Sequence, residues 1–270
     1  MKHVASRENP LFKSLVRTAR HAGRRGAQAL LEGVHVCQAW LQHAGAPALA
    51  VFDAERWERR AELAALARAL PAGRIVLLEP RLLHSLESVE AGQGVLFVVD
   101  PPRPALPDRL DRTSVWLDRV QDPGNVGTLL RTCAAAGIGR VLLGEGCAAA
   151  WSPKVLRSGQ GAHFALAVHE HVDLGQALRR LDVPLVVTAV DGAKPLYGTR
   201  LPAECAWVFG HEGQGVAPAL QQAAALKVRI DHEPAVESLN VAVAAALCLF
   251  EQRRQRASAA RPDGPCARHR

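Results

Sequence analysis

The 270-residue chain lacks most of the sequence features that would fix a simple class. Its six cysteines (Cys37, Cys133, Cys147, Cys205, Cys248 and Cys266) include no CxxC pair. That argues against a disulfide framework or a zinc ribbon and favours a reducing, cytoplasmic setting. Of eleven histidines, His169 and His171 form one HxH pair, with His163 nearest to it; no set of cysteine or further carboxylate partners at ligand spacing accompanies them, and no metal site is expected. No apolar run approaches the roughly 20 residues that span a bilayer, so no membrane association is expected. The basic N-terminus has no apolar h-region, which argues against a secretory signal. Aromatic residues number only 12, and none sits in an RNP-like arrangement for stacking bases. There is neither a G-x-G-x-x-G dinucleotide fingerprint nor a P-loop. Lysine is scarce, at five against 28 arginines, a skew that also follows from GC-rich coding.

What is present is a 49% apolar chain with a formal charge of +7, unevenly distributed. Residues 1–30 hold seven basic groups and one acid, a net of +6; residues 251–270 net +4; the 220 between them net −3. A weakly acidic body with basic ends suits a folded protein that meets a polyanion at particular places. The N-terminal candidates for phosphate contacts are Arg7, Lys13, Arg17, Arg20, Arg24 and Arg25, with Lys154 and Arg157 in the body.

Four prolines within residues 101–107 mark a linker, because such a segment continues neither a helix nor a central strand. The expected division is a unit over residues 1–100, a linker over 101–110, a second unit over 111–256 and a basic, disordered tail over 257–270. In the first unit we expect a basic N-terminal helix, a helix near Ala29–His43, a strand Ala48–Phe52, a helix Arg56–Leu70, and strands near Ile75–Leu78 and Val95–Val99. In the second, strands Val115–Leu117, Arg140–Leu143, Leu185–Ala189, Trp207–Phe209 and Lys227–Ile230 alternate with helices at Val126–Ala136, Leu174–Leu181 and Ala217–Ala225. A last helix runs from about Glu237, with Leu239, Val243, Leu247 and Phe250 on one stripe. That order predicts an α/β fold with a mostly parallel sheet and helices on both faces.

Three loops stand out. Leu117–Thr132 runs a strand through Asp122-Pro-Gly-Asn125 into a helix; this suits an anion at the carboxyl end of a sheet, and equally an ordinary capped turn. Trp207–Val216 ends a hydrophobic strand in three glycines within six residues, which lets a ligand approach the backbone or simply makes a flexible turn. Ile230–Ala246 places Ser238 and Asn240 before an Ala-rich helix, which Ser238 could cap.

Together these loops resemble the motifs of the SpoU family of RNA ribose 2′-O-methyltransferases, of the SPOUT superfamily. The matching stretches are Gln121-Asp-Pro-Gly-Asn-Val-Gly127 with Arg131, Phe209-Gly-His-Glu-Gly-Gln-Gly215 and Glu237-Ser-Leu-Asn-Val-Ala242. Ser152–Phe164 is similar too, and Ser6–Lys13 and Leu30–His35 resemble the family's N-terminal substrate-binding domain. The departures are Val216 where leucine is usual and the basic extension after Gln252.

The resemblance implies a ribosomal-protein-like α/β RNA-binding domain, followed by a domain with a trefoil knot that binds S-adenosylmethionine without a metal. It implies catalytic roles for Asn125, Arg131, Glu212, Ser238 and Asn240. Cofactor contacts would come from Thr188, Ala189, Phe209, Gly210, Gly213, Ile230 and Leu239. A homodimer is implied, with the first-motif helix and the final helix at its interface and Arg131 able to act across it. The N-terminal domain favours ribosomal RNA over tRNA; a non-catalytic ribosome-assembly homologue is the rival from another class.

Overall fold

The computed structural model describes residues 1–87, 92–189 and 192–259, arranged as two compact units. The first comprises Met1–Pro104 together with Ala148–Ala165; the second comprises Ala105–Cys147 and the chain from Leu166 onward.

In the first unit, β1 (Lys2–Val4) precedes α1 (Pro10–His21), which starts where Asn9 accepts the Leu11 amide at 2.9 Å and Pro10 pre-sets the first turn. Phe12 and Leu15 turn inward while the basic positions stay outside. Then follow β2 (Ala29–Glu32), α2 (Val34–Ala44), β3 (Leu49–Asp53), α3 (Ala61–Arg68), β4 (Ile75–Leu78), α4 (Pro80–His84) and β5 (Val95–Val99). The sheet order is β1-β4-β3-β5-β2, with β5 antiparallel to both neighbours.

The expected helix near Ala29–His43 is therefore a strand followed by a helix. Ala29-Leu-Leu is a short continuous apolar run, which periodicity cannot assign. Pairing with β5 decides it, and Gly33, at φ 102°, makes the break before α2. The helix expected over Arg56–Leu70 is confined to Ala61–Arg68, because Asp53 draws the Glu55 and Arg56 amides into a turn at 2.9 and 3.0 Å.

The second unit begins with β6 (Ser114–Asp118), α5 (Pro123–Ala136) and β7 (Arg140–Gly144). Next in the chain comes α6 (Pro153–Gly159), which belongs to the first unit and packs on β2. There Trp151 and Phe164 meet Trp40 edge-on, at ring-centre separations of 6.5 and 6.0 Å. The second unit continues with β8 (Ala167–Val172), α7 (Leu174–Leu178), β9 (Leu185–Thr188), β10 (Lys194–Pro195), β11 (Ala206–Gly210), α8 (Pro218–Ala223), β12 (Leu226–Arg229) and α9 (Val241–Ala259). Its seven strands, ordered β10-β12-β9-β11-β6-β7-β8, are parallel throughout. The central strands β6 and β11 are buried along their whole length, as a parallel sheet covered on both faces requires.

Helix α9 begins at Val241 rather than near Glu237, and its apolar stripe is inverted. Ala242, Ala245, Cys248, Leu249 and Gln252 are buried, whereas Val243 and Phe250 are 49% and 46% exposed. Helix α9 packs against α5. Among the described residues, no helix is long and apolar enough to cross a membrane. The tail expected to be disordered starts as helix through Ala259; the rest of it, with Cys266, lies outside the described residues.

Candidate active site

The carboxyl ends of β6, β9, β11 and β12 gather the three loops. After β6, Asp122 caps α5 by accepting the Gly124 and Asn125 amides at 2.6 and 3.0 Å, Pro123 occupies the first helical position, and Gly137 closes the helix at φ 80°. This holds Asn125 in the first turn. Its Nδ2 donates to Glu212 Oε1 at 2.9 Å, and its Oδ1 accepts from Asn240 Nδ2 at 2.9 Å. Glu212 also receives the Asp122 and Gln121 amides at 3.4 and 3.5 Å. Asn240 Oδ1 in turn caps α9, accepting the Ala242 and Val243 amides at 2.9 and 3.3 Å. One chain of hydrogen bonds thus joins residues 87 and 115 positions apart. The helix cap is Asn240, not Ser238, which is exposed and lines the cavity described below.

Burial raises the Glu212 pKa, but the hydrogen bonds from Asn125 and from neighbouring backbone amides outweigh it and hold the carboxyl below its ordinary value. Glu212 is therefore a fixed anion at neutral pH that draws two loops together, not a proton carrier. Cys147 is no nucleophile either: burial pushes its thiol up to about 11.

Beside this network lies a cavity of about 550 Å³. Thr188, Ala189, Gly210, Ile230 and Leu239 line it, together with Glu212, Ser238 and Asn240. Two residues of the expected cofactor set do not. Phe209 is fully buried in β11, stacked on Trp207 at 6.0 Å, because alternate strand residues point into the core; Gly213 sits in the exposed turn beyond the strand. Gly210 has a reason of the chain's own: a Cβ there would lie 2.3 Å from Gly215 C and Val216 N. The turn folds tightly back on β11, with His211 and Gly215 exchanging backbone hydrogen bonds at 3.1 and 2.8 Å. The His211 ring supports it, Nδ1 accepting the Gly213 and Gln214 amides at 2.9 and 3.1 Å.

Arg131 is not brought into this network. It is exposed on α5, one turn beyond Thr128, and no hydrogen bond or ion pair holds it among the described residues. Asn125 bonds to Glu212 and Asn240. Thr128 and Thr132 of the same helix line a shallow apolar groove of about 590 Å³ with Tyr197, Val243, Leu247 and Phe250.

On the first unit, Arg7, Lys13, Arg17, Arg20, Arg24 and Arg25 are all exposed. Among the described residues, Lys13 is paired with Glu8 at 2.5 Å. Lys154 and Arg157 lie on α6 and so belong to the same unit. The sequence offered no sign of His211 as a turn support, nor of Asp118 and Arg119 as a bracket behind the turn. The bracket depends on contacts of Arg119 with Gln214 and Gly215, 95 and 96 positions away, its local hint being a charged pair at the end of a hydrophobic strand. The His211 contacts are local, two and three residues on, but no sequence pattern marks them. Among the described residues, no group of three or more His, Cys, Asp and Glu is placed to hold a metal ion.

Residues 112–250 match the model of the SpoU rRNA Methylase family. An uncharacterized tRNA/rRNA methyltransferase of Synechocystis sp. is 31% identical over 270 residues, covering 96% of each chain. The 23S rRNA (guanosine-2′-O-)-methyltransferase RlmB of Bordetella pertussis is 32% identical, over 84% of this chain and 97% of its own. Among solved structures, the SpoU methyltransferase AviRb of Streptomyces viridochromogenes, in complex with AdoMet, superimposes with a TM-score of 0.80 at 26% identity, covering 93% of this chain and 99% of its own. With its motifs, its sheet and its full-length relatives in agreement, the chain belongs to the SpoU rRNA methylase family.

Proposed function

We propose that this protein is an S-adenosylmethionine-dependent RNA methyltransferase acting on a ribose 2′-hydroxyl, with ribosomal RNA as its substrate. One observation carries the proposal: the hydrogen-bonded chain Glu212–Asn125–Asn240 stands beside a cavity lined by three strand ends and the segment leading into α9. The cavity suits the cofactor in size, within the several hundred Å³ of ordinary ligand sites. Thr188, Ala189, Gly210, Ile230 and Leu239 would hold it. S-adenosylmethionine supplies a methyl group already activated on a sulfonium, which calls for no metal.

The chain's task is to align a ribose oxygen and remove its proton. Asn125 and Asn240 present fixed polar groups at the cavity's edge, oriented by Glu212; Ser238 adds a hydroxyl from the facing loop. Arg131 is a cation exposed on α5. A guanidinium is a permanent cation rather than a base, so its role is to grip the phosphate beside the target ribose and stabilise the developing alkoxide, the proton passing to phosphate or water. The exposed side chains of Val243 and Phe250, beside Thr128 and Thr132 of the helix that carries Arg131, support a homodimer through α5 and α9. In such a dimer Arg131 serves the partner's site.

The basic face of the first unit supports phosphate contacts that are salt-dependent and largely blind to sequence. The 23S rRNA specificity named for RlmB, and for RlmP of Bacillus subtilis at 35% identity, favours ribosomal RNA over tRNA. Five free cysteines among the described residues favour a reducing, cytoplasmic setting. Incubating the protein and labelled S-adenosylmethionine with ribosomal RNA or tRNA from a strain lacking the gene tests this. Label entering ribosomal RNA alone supports it; label entering tRNA alone moves the substrate assignment, and label entering neither removes the catalytic one.

A further inference from the structure

The end of β6 carries a charged pair that this chemistry does not use. Arg119 has φ 59°, a left-handed conformation that strains a residue with a side chain and that glycine adopts freely. Strain of this kind persists only where the surroundings over-determine it, and here they do. Arg119 Nε and Nη2 hold the two carboxylate oxygens of Asp118 at 3.1 and 3.2 Å. Nη1 donates to Gln214 Oε1 at 2.7 Å, and Nη2 reaches the Gly215 carbonyl at 3.4 Å. Asp118 is 6% exposed, and its Oδ2 also accepts the Ala217 amide at 2.7 Å. The guanidinium thus grips the glycine turn at Gln214 and Gly215, while the carboxylate holds the chain where it leaves the turn. Gly215 and Val216 line the cavity; Arg119 does not.

We propose that Arg119 is a positioning residue, held in a strained backbone so that its guanidinium locks the 211–215 turn in the conformation that receives S-adenosylmethionine. The inference rests on the cofactor reading above. Four of the five turn residues are exposed. Without the lock they sample other conformations, and binding is weakened by the fraction of time the receptive one is absent.

Calorimetric titration of the full chain with S-adenosylmethionine, paired with thermal melting, separates the possibilities. In Arg119→Gly the lock and the strain go together: Kd should rise about tenfold, as for loss of one charge-assisted hydrogen bond on a partly exposed group. The melting temperature should change little, because relief of the left-handed strain offsets the loss of the partner of Asp118, whose carboxylate keeps the Ala217 amide. Gln214→Ala should weaken binding less, and the double variant should be no weaker than Arg119→Gly, since both changes remove the same contact. Arg119→Gly binding within about twofold of wild type overturns the proposal, as does affinity falling in step with melting temperature, the mark of a merely structural role. A wild-type chain that fails to bind S-adenosylmethionine refutes the cofactor reading itself, and the lock with it.

Discussion

Replacing Gly210 with alanine tests whether the glycine turn is built by the chain or reserved for a ligand. An added Cβ would lie 2.3 Å from Gly215 C and Val216 N, against the 3.0 Å below which real Cβ contacts essentially never fall. Both obstacles are backbone, so the turn must withdraw by about 0.7 Å or more. That breaks the paired hydrogen bonds between His211 and Gly215, worth about 1 kcal/mol each, and adds an overpacking penalty of 1–3 kcal/mol, roughly 3–5 kcal/mol in all. Because the turn forms one wall of the cavity, S-adenosylmethionine affinity should fall by about a hundredfold or more. The ligand-free protein should also melt earlier, since β11 lies at the centre of the seven-stranded sheet. Calorimetry and ligand-free thermal melting read the two effects separately. An unchanged melting temperature would refute the packing argument and return Gly210 to a purely ligand-facing role; unchanged affinity would refute the placement of the cofactor.

Two further outcomes follow from single side chains. Phe250→Glu places a charge on the exposed face of α9, where an interface aromatic typically contributes about 2–4 kcal/mol; sedimentation should show wild-type dimers becoming monomers with secondary structure retained, and a variant that still dimerises excludes this face. His163 is 3% exposed, and burial pushes its pKa from 6.5 down to about 4, only partly opposed by its contact with the Ala150 carbonyl at 2.7 Å. The folded state thus favours the neutral ring, so its contribution is complete above pH 6.5 and is lost as pH falls toward 4, up to about 3 kcal/mol. Denaturant melts across that window should show a shallower slope for His163→Phe; identical slopes would contradict the assignment.

How far the sequence revealed the molecule depended on the range of the interactions involved. Ile75–Leu78 and Val95–Val99 were legible as strands because their buried apolar runs end at clear turn signals, and α5 because a proline, a cap and a closing glycine punctuate it. Ala29–Glu32 and Ala167–Val172 were not: both are edge strands, their short or polar runs fixed by a neighbour rather than by local pattern. The stripe on α9 was legible as a pattern but not in its orientation, because Ala242, Ala245, Cys248 and Leu249 are buried while Val243 and Phe250 are left exposed. At the site, Asn125, Glu212 and Asn240 were identified through motif resemblance. Their mutual hydrogen bonds, and the bracket of Asp118 and Arg119, join distant parts of the chain and became visible only in the fold.

The central claim is chemical, and nucleoside analysis tests it most directly. Ribosomal RNA incubated with the protein and methyl-labelled S-adenosylmethionine should, after digestion, yield its label in a single 2′-O-methyl nucleoside. Arg131→Ala should still bind the cofactor yet lose about 100-fold or more of the transfer rate, as expected when a charged group serving only the transition state is removed. Label recovered on a base instead of a ribose, or an Arg131→Ala enzyme transferring at the wild-type rate, would contradict the account.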